Sequence, residues 1–247
     1  MKLTLAEPKY LKDSISIISD LVNEAQFRIT KDAIEMVAMD PANVAMVIFK
    51  LLSSSFTEYD IENEISLSLN LSYLKQILRR AKPNDMITLE MDGTNKLKIQ
   101  FRSKTVRTFS LSIIDMQEKE QRIPQLTFPV SVETTADVLN EAIEDVDIVS
   151  ESVSFTVEPK KLTISAEGDM SNAAIEIKED EGTVIKAAKE KVRSKYSVEY
   201  LKKMIAASKI ADHVRIQFNK DYPMRIDYQT LDRVMLSFIL APRVDND

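Results

Sequence analysis

The 247-residue sequence has no cysteine, no tryptophan, a single histidine and only three glycines. Without cysteine there can be no disulfide, no thiolate nucleophile and no zinc–thiolate site. His213 has no second histidine or cysteine to complete a metal site or a dyad, and beside the strand-like Val214 it reads as structural. Three glycines leave no glycine-rich loop to cradle a phosphate, so nucleotide hydrolysis is unsupported, and the turns must be built from Asp, Asn, Lys and Pro. Long apolar runs are also missing. None approaches the roughly 20 residues that cross a bilayer, so a soluble globular protein without a membrane partner is expected. The opening MKLTLAEPKY places an acidic residue where a signal peptide would carry its apolar core. Export is therefore not expected, and the location is intracellular: cytoplasmic or nucleoid-associated, nuclear if the source is eukaryotic.

What is present balances a core against solubility, with 44% hydrophobic and 29% charged residues. A formal net charge of -6 argues against a generic nucleic-acid binder, because affinity for phosphate comes from cationic side chains that release counterions. Net charge does not report distribution, however, and a local basic surface can steer a polyanion to an acidic protein. The charges have to be placed on elements first.

Apolar spacing predicts a helix from Pro8 to Val22, a hairpin of Phe27–Thr30 and Ile34–Ala38 across Lys31-Asp32, and strands over Val44–Leu52 and Ile65–Leu69. A second helix is expected over Ser72–Lys82, stopped by Pro83. Strands follow at Met86–Met91, Leu97–Phe101 and Val106–Leu111, the first two joined by an Asp92-Gly93 turn. The second half repeats this order. Phe27, Ile29, Ile34, Met36 and Ala38 match Phe155, Val157, Leu162, Ile164 and Ala166 at an offset of 128 (155 minus 27). Tyr73-Leu74-Lys75 matches Tyr200-Leu201-Lys202 at 127 (200 minus 73), and the strands beyond keep that offset. One nearly constant offset across helices, hairpins and turns indicates a duplicated unit. The expected organisation is residues 1–114, a mostly polar connector at 115–129 and residues 130–247. Each half should be an α+β domain whose antiparallel sheets are covered on one face by two amphipathic helices.

Placed on those helices, the cations gather. Lys9 and Lys12 lie outward on the first; Lys75, Arg79 and Lys82 share a face of the second, with Arg80 alongside; Lys202, Lys203 and Lys209 lie outward on the fourth, expected over Val198–Lys209. A solvated surface is the plain reading of any one of these faces. Recurrence on equivalent helices suggests a phosphate-facing belt, and a lack of aromatic residues on those faces favours backbone contact over base stacking. The third helix, Ala136–Val149, has no lysine or arginine, and its Asp137, Glu141 and Asp145 line one face.

At AMDPANVAMV (Ala38–Val47), the Ile123-Pro124 connector, SKYSVEYLKKM (Ser194–Met204), YPMRIDY (Tyr222–Tyr228) and LAPR (Leu240–Arg243), the sequence resembles the sliding clamps of the proliferating cell nuclear antigen type, most like archaeal members. The match covers essentially the whole chain. It implies the DNA clamp fold: two similar domains per subunit, sheets outside and helices inside, closed into a ring-shaped homotrimer around duplex DNA. It implies no catalysis and no cofactor. The implied role is a processivity factor tethering a replicative DNA polymerase, the clamp loader (replication factor C), flap endonuclease and DNA ligase through short peptide motifs. Subunits would join between strands near Val106–Leu111 and Ala173–Lys178. There the acidic stripe Asp137, Glu141 and Asp145 would meet the neighbour's basic corner, Arg80, Lys82 and Arg107, a match that sets register.

The resemblance also implies a client-binding wall of Met39, Val44, Met46, Ile123, Pro124, Pro223, Ala241 and Pro242, against which partners lay a helical turn with apolar and aromatic anchors. Met39 and the Ala241-Pro242 segment read as loop features; Val44 and Met46 read equally well as core. Methionine suits a surface serving several clients, since its flexible thioether adapts. Two other functions remain open at this point. One is a specialised or checkpoint-type subunit of a hetero-oligomeric ring. The other, in a different class, is a carboxylate-based hydrolase, for which no convergent set of carboxylates stands out.

Overall fold

In a computed structural model that describes residues 1–91, 93, 95–116, 121–186 and 191–243, the alternating segments become eighteen strands and the 3.6-period segments four helices. The first half runs β1 (Lys2–Leu5), α1 (Lys9–Ile18), β2 (Glu24–Ile29), β3 (Ala33–Met39), β4 (Ala45–Leu52), β5 (Glu58–Asp60), β6 (Ile65–Asn70), α2 (Leu71–Leu78), β7 (Met86–Glu90), β8 (Lys96–Arg102) and β9 (Val106–Ser112). The second runs β10 (Val130–Thr135), α3 (Ala136–Asp147), β11 (Ser152–Glu158), β12 (Lys161–Glu167), β13 (Asn172–Lys178), β14 (Val184–Lys186), β15 (Val192–Ser197), α4 (Val198–Ile205), β16 (His213–Phe218), β17 (Met224–Thr230) and β18 (Val234–Leu240). The order of strands and helices is the same in both, so the duplication read from the offset is a duplication of architecture.

The chain clusters into two units. The first comprises Met1–Pro41, Val47–Ile123 and Thr230–Leu236; the second comprises Ala42–Met46, Pro124–Gln229 and Ser237–Asp247. Sheet order repeats as well. β5-β1-β7-β8-β9 in the first half corresponds to β14-β10-β16-β17-β18 in the second, and β4-β3-β2-β6 corresponds to β13-β12-β11-β15. The pairings whose registers were traced are antiparallel.

Each unit buries one face of its sheets beneath two packed helices, α1 with α2 and α3 with α4. Leu11, Ile15 and Ile18 of α1 and Leu74 and Leu78 of α2 point inward, at the spacing that fills one helix face. In the second unit the Phe155 ring lies edge-on to both Tyr196 and Phe218, with centroids 5.9 and 6.0 Å away, and all three side chains are fully buried.

All four helices end earlier than the sequence predicts, because their last turns tighten. After α1, Asp20 and Leu21 donate to Ile17 and Ile18, three residues back. After α2, Arg80 and Ala81 do the same to Ile77 and Leu78, so the helix closes well before Pro83 blocks it. The end of α4 continues as a 3-10 turn, Ala206–Lys209. α3 stops at Asp147 rather than Val149. Strands β1, β5 and β14 had no sequence signal, since three or four residues are too few to show alternation. At the expected Asp92-Gly93 turn, Gly93 has φ +86°, the left-handed conformation that glycine takes without penalty, while Asp92 lies outside the described residues. No helix among the described residues is long and apolar enough to cross a membrane.

Gly168 is required for a different reason. A Cβ built there would lie 2.5 Å from the backbone oxygen of Val149, which cannot move as a side chain can. Gly168→Ala is expected to destabilise the second unit by about 2 kcal/mol through overpacking, read as a lowered thermal unfolding midpoint.

Candidate nucleic-acid and partner interfaces

The basic helix faces form, but with less free charge than the sequence suggests. On α1, Lys9 is exposed and makes no ion pair among the described residues, whereas the Lys12 ammonium donates to the Ala81 carbonyl at 3.1 Å, beyond the end of α2. On α2, Lys75 is bound to Asp20 at 2.6 Å. Arg79, Arg80 and Lys82 are exposed, with no side-chain ion pair among the described residues. On α4, Lys202 is bound to Asp147 at 2.6 Å, and Lys203 pairs with Glu199 at 2.9 Å while lying 5.3 Å from the Tyr200 ring centroid. Lys209, in the turn after α4, is exposed and unpaired among the described residues. These carboxylate partners were not foreseen. Asp20 and Asp147 each stand 55 residues from the lysine they hold, beyond any local spacing rule.

The helix faces are also not free of aromatics. Tyr73 at the start of α2 is 60% exposed, and Tyr200 occupies the matching place on α4, half-buried. The expectation of wholly aromatic-free faces is thus corrected. Both tyrosines take the third position past their helix caps, Asn70 and Ser197, and the Asn70 side chain accepts the Tyr73 N–H at 3.1 Å.

On α3, Asp137, Glu141 and Asp145 are exposed and make no ion pair among the described residues. The basic corner is less uniform. Arg107, on β9, donates to the Asp85 carboxylate and, at 2.9 Å, to the Arg80 carbonyl, and its guanidinium lies 5.3 Å from the Phe101 ring centroid. Arg107 is thereby held within its own unit, and Arg80 and Lys82 are the open cations of the corner.

Asp85 organises this corner. Its side chain is fully buried, accepts the Lys82 N–H at 2.6 Å and receives Arg107. The Lys82 N–H above all, then hydrogen bonds from Ser103 and Arg107 and the charge of Arg107, hold the Asp85 carboxyl below its ordinary range against the opposing effect of burial. A lowered folded value means that the stabilisation is fully present above the unfolded group's value, about 3.9, and is lost as pH falls below it through the folded value. Asp85→Ala is expected to cost about 2 kcal/mol, the value of hydrogen bonds to a charged group. Thermal melts should show that difference at neutral pH and a smaller one in acid.

Two sheet-end strands lie against the helices that carry or adjoin these groups, β9 against α2 and β13 against α3. β9 ends the five-stranded sheet of the first half, and β13 ends the four-stranded sheet of the second. Alternate residues of each, Val106, Thr108 and Ser110 on β9 and Ala174, Glu176 and Lys178 on β13, are exposed.

Of the client-wall residues, six belong to the second unit. Val44 is half-buried and its carbonyl accepts the Ala241 N–H at 2.9 Å; Met46 is 7% exposed and belongs to the core. Pro124 is exposed, and Pro223, Ala241 and Pro242 are half-buried. The Tyr222-Pro223 corner is fixed by the Tyr196 hydroxyl, which donates to the Tyr222 carbonyl at 2.8 Å, and by an edge-on contact of the Tyr222 and Phe128 rings. Past Pro242, the Arg243 N–H donates to the Lys195 carbonyl at 2.7 Å. The Ala241–Arg243 segment is therefore anchored at both ends with its prolyl face open. Met39, half-buried, and Ile123, 45% exposed, belong to the first unit. Among the described residues no three His, Asp or Glu side chains cluster to hold a metal ion, and His213 is exposed at the start of β16.

Family comparisons agree over the whole length. The family model for the proliferating cell nuclear antigen N-terminal domain matches residues 1–121, and that for the C-terminal domain matches residues 122–243. The chain is 36% identical over 249 residues to a DNA polymerase sliding clamp from Nanoarchaeum equitans, covering 99% of this chain and 100% of that protein. It is 36% identical over 238 residues to the one from Thermococcus gammatolerans, covering 96% of each. Its fold superimposes on the crystal structure of PCNA from Thermococcus kodakaraensis with a TM-score of 0.91, at 29% identity, over 98% of this chain and 99% of that one.

Proposed function

The chain belongs to the proliferating cell nuclear antigen family, and from that premise we propose that it acts as a DNA polymerase sliding clamp: a homotrimeric ring that encloses duplex DNA and holds replication enzymes beside it. Subunits join through β9 of one and β13 of the next, which removes two open sheet edges that would otherwise invite aggregation. Register is set by Asp137, Glu141 and Asp145 facing the neighbour's Arg80 and Lys82. Duplex DNA runs past α1, α2 and α4, where Lys9, Arg79 and Lys209 attract its phosphates without a groove to grip them.

The observation that carries this reading is the placement of charge. A protein of net charge -6 sets its cations on equivalent helices of a duplicated unit and neutralises part of them. A sliding ring needs that combination, since a tight cationic hold would stop movement. The hold on DNA is topological, and the gain for a tethered enzyme is effective concentration rather than new chemistry. Clients, including polymerase, clamp loader, flap endonuclease and ligase, dock on the prolyl surface of Pro124, Pro223 and Pro242 with an apolar and aromatic helical turn. The test is synthesis by a replicative polymerase on primed circular DNA with a loader present. Long products that depend on the clamp support the reading, and unchanged product length with a competent loader and polymerase contradicts it.

A further inference from the structure

Two ion pairs recur at one place in the duplicated architecture. Asp20, in the turn after α1, holds Lys75 of α2, and Asp147, the last residue of α3, holds Lys202 of α4; both contacts measure 2.6 Å. The second pair is displaced from the first by 127 residues (147 minus 20 and 202 minus 75), the offset that aligns α2 with α4. The Lys203–Glu199 and Arg107–Asp85 pairs do not recur: Gln76 and Ser72, and Val234 and Asp212, stand at the equivalent positions.

We propose that Asp20 and Asp147 set how tightly the helix faces hold duplex DNA, by engaging the Lys75 and Lys202 ammonium groups in competition with phosphate. The inference rests on the reading that DNA runs along these helices. Side-chain exposure is 25% for Lys75 and 50% for Asp20, and 48% for Lys202 and 38% for Asp147. Pairs this open contribute little to folding, so their recurrence in both halves calls for another role. To contact a phosphate, each lysine must first leave a carboxylate, and that carboxylate itself repels the approaching phosphate. Lys75 and Lys202 thus form transient contacts, while Lys9, Arg79 and Lys209 supply continuous attraction. A lysine freed from its aspartate adds one counterion-releasing contact, which at about 0.1 M salt raises affinity by up to about eightfold.

The test compares four full-length proteins on a linear duplex DNA probe across a salt series: wild type, Asp20→Asn with Asp147→Asn, a control Glu35→Gln with Glu133→Gln, and Lys9→Gln with Arg79→Gln. The control makes the same charge change in strand-borne pairs, Glu35–Lys50 and Glu133–Arg215. The double Asn variant is expected to bind about eightfold more tightly than wild type at about 0.1 M salt if one freed lysine reaches phosphate and about sixtyfold if both do, with a log–log salt slope steeper by about one for each added phosphate contact. It should diffuse more slowly along DNA, with assembly and thermal midpoint unchanged. The same affinity and slope as the control would overturn the inference. Loss of affinity in Lys9→Gln with Arg79→Gln, alongside that null result, would leave the DNA path standing and remove only the role of the aspartates. No loss in that variant would remove the DNA path and this inference together.

Discussion

Glu141→Lys is expected to leave the protein monomeric in sedimentation at concentrations where the wild type stays trimeric. Glu141 is the middle of the exposed acidic stripe on α3, and neither it nor its neighbours Asp137 and Asp145 has an ion-pair partner among the described residues. A stripe of unpaired carboxylates lowers the stability of an isolated subunit slightly and contributes only when it meets cations. Exposed ion pairs are worth up to about 1 kcal/mol each, and reversal replaces attraction with comparable repulsion, so each junction loses about 1–2 kcal/mol. A ring repeats the loss at three junctions, and the trimer–monomer equilibrium should shift by a factor of about 10² to 10⁴. Arg80→Glu added to Glu141→Lys should restore assembly, because Arg80 is an open cation of the basic corner. Arg107 would be a poor choice for that rescue, since its bonds to Asp85 and the Arg80 carbonyl make it part of the subunit's own fold. Salt near 1 M, where the Debye length is about 3 Å, should weaken the wild-type trimer in the same direction. A trimer unmoved by both reversal and salt would show that charge does not set the register.

Replacing Ile123 and Pro124 together with serine is expected to weaken client binding by about tenfold to thirtyfold while assembly stays intact. Ile123 is 45% exposed and Pro124 is exposed, so neither supports the core. An apolar anchor in a recognition surface is worth about 2 kcal/mol when removed. Met46→Ala would not discriminate, because a residue 7% exposed is core and its truncation lowers stability whether or not clients touch it. Binding of a labelled peptide with an apolar and aromatic helical turn, measured beside sedimentation, separates the outcomes. Full-strength peptide binding would remove the connector from the client surface, and loss of the trimer would make it a structural strut.

The duplication and the α+β layers were legible because they rest on local periodicity. Phe27 and Phe155, or Leu74 and Leu201, keep their buried places at an almost constant offset, and alternation is visible within a single strand. Helix ends were overcalled because Pro83 marks where α2 cannot continue, not where its last turn tightens, which the bonds from Arg80 to Ile77 and Ala81 to Leu78 decide. The sign and position of the helix-face charges were also legible. How much of that charge is free was not, because Lys75 and Lys202 find carboxylates from another element and Arg107 finds a buried one at Asp85. Partners brought together only by folding have no short-range signature. The repeat held a usable clue all the same, since Asp20 and Asp147 are themselves at offset 127.

A ring that encloses duplex DNA is held on it by topology, and a closed circle distinguishes that hold from surface binding. The protein is loaded onto nicked circular duplex DNA, washed at a salt concentration that abolishes its binding to linear duplex, and followed before and after a single restriction cut. Retention on the circle with rapid loss after linearisation is the predicted result. Equal retention on circle and cut DNA, or equal loss from both, would contradict a ring that encloses its DNA.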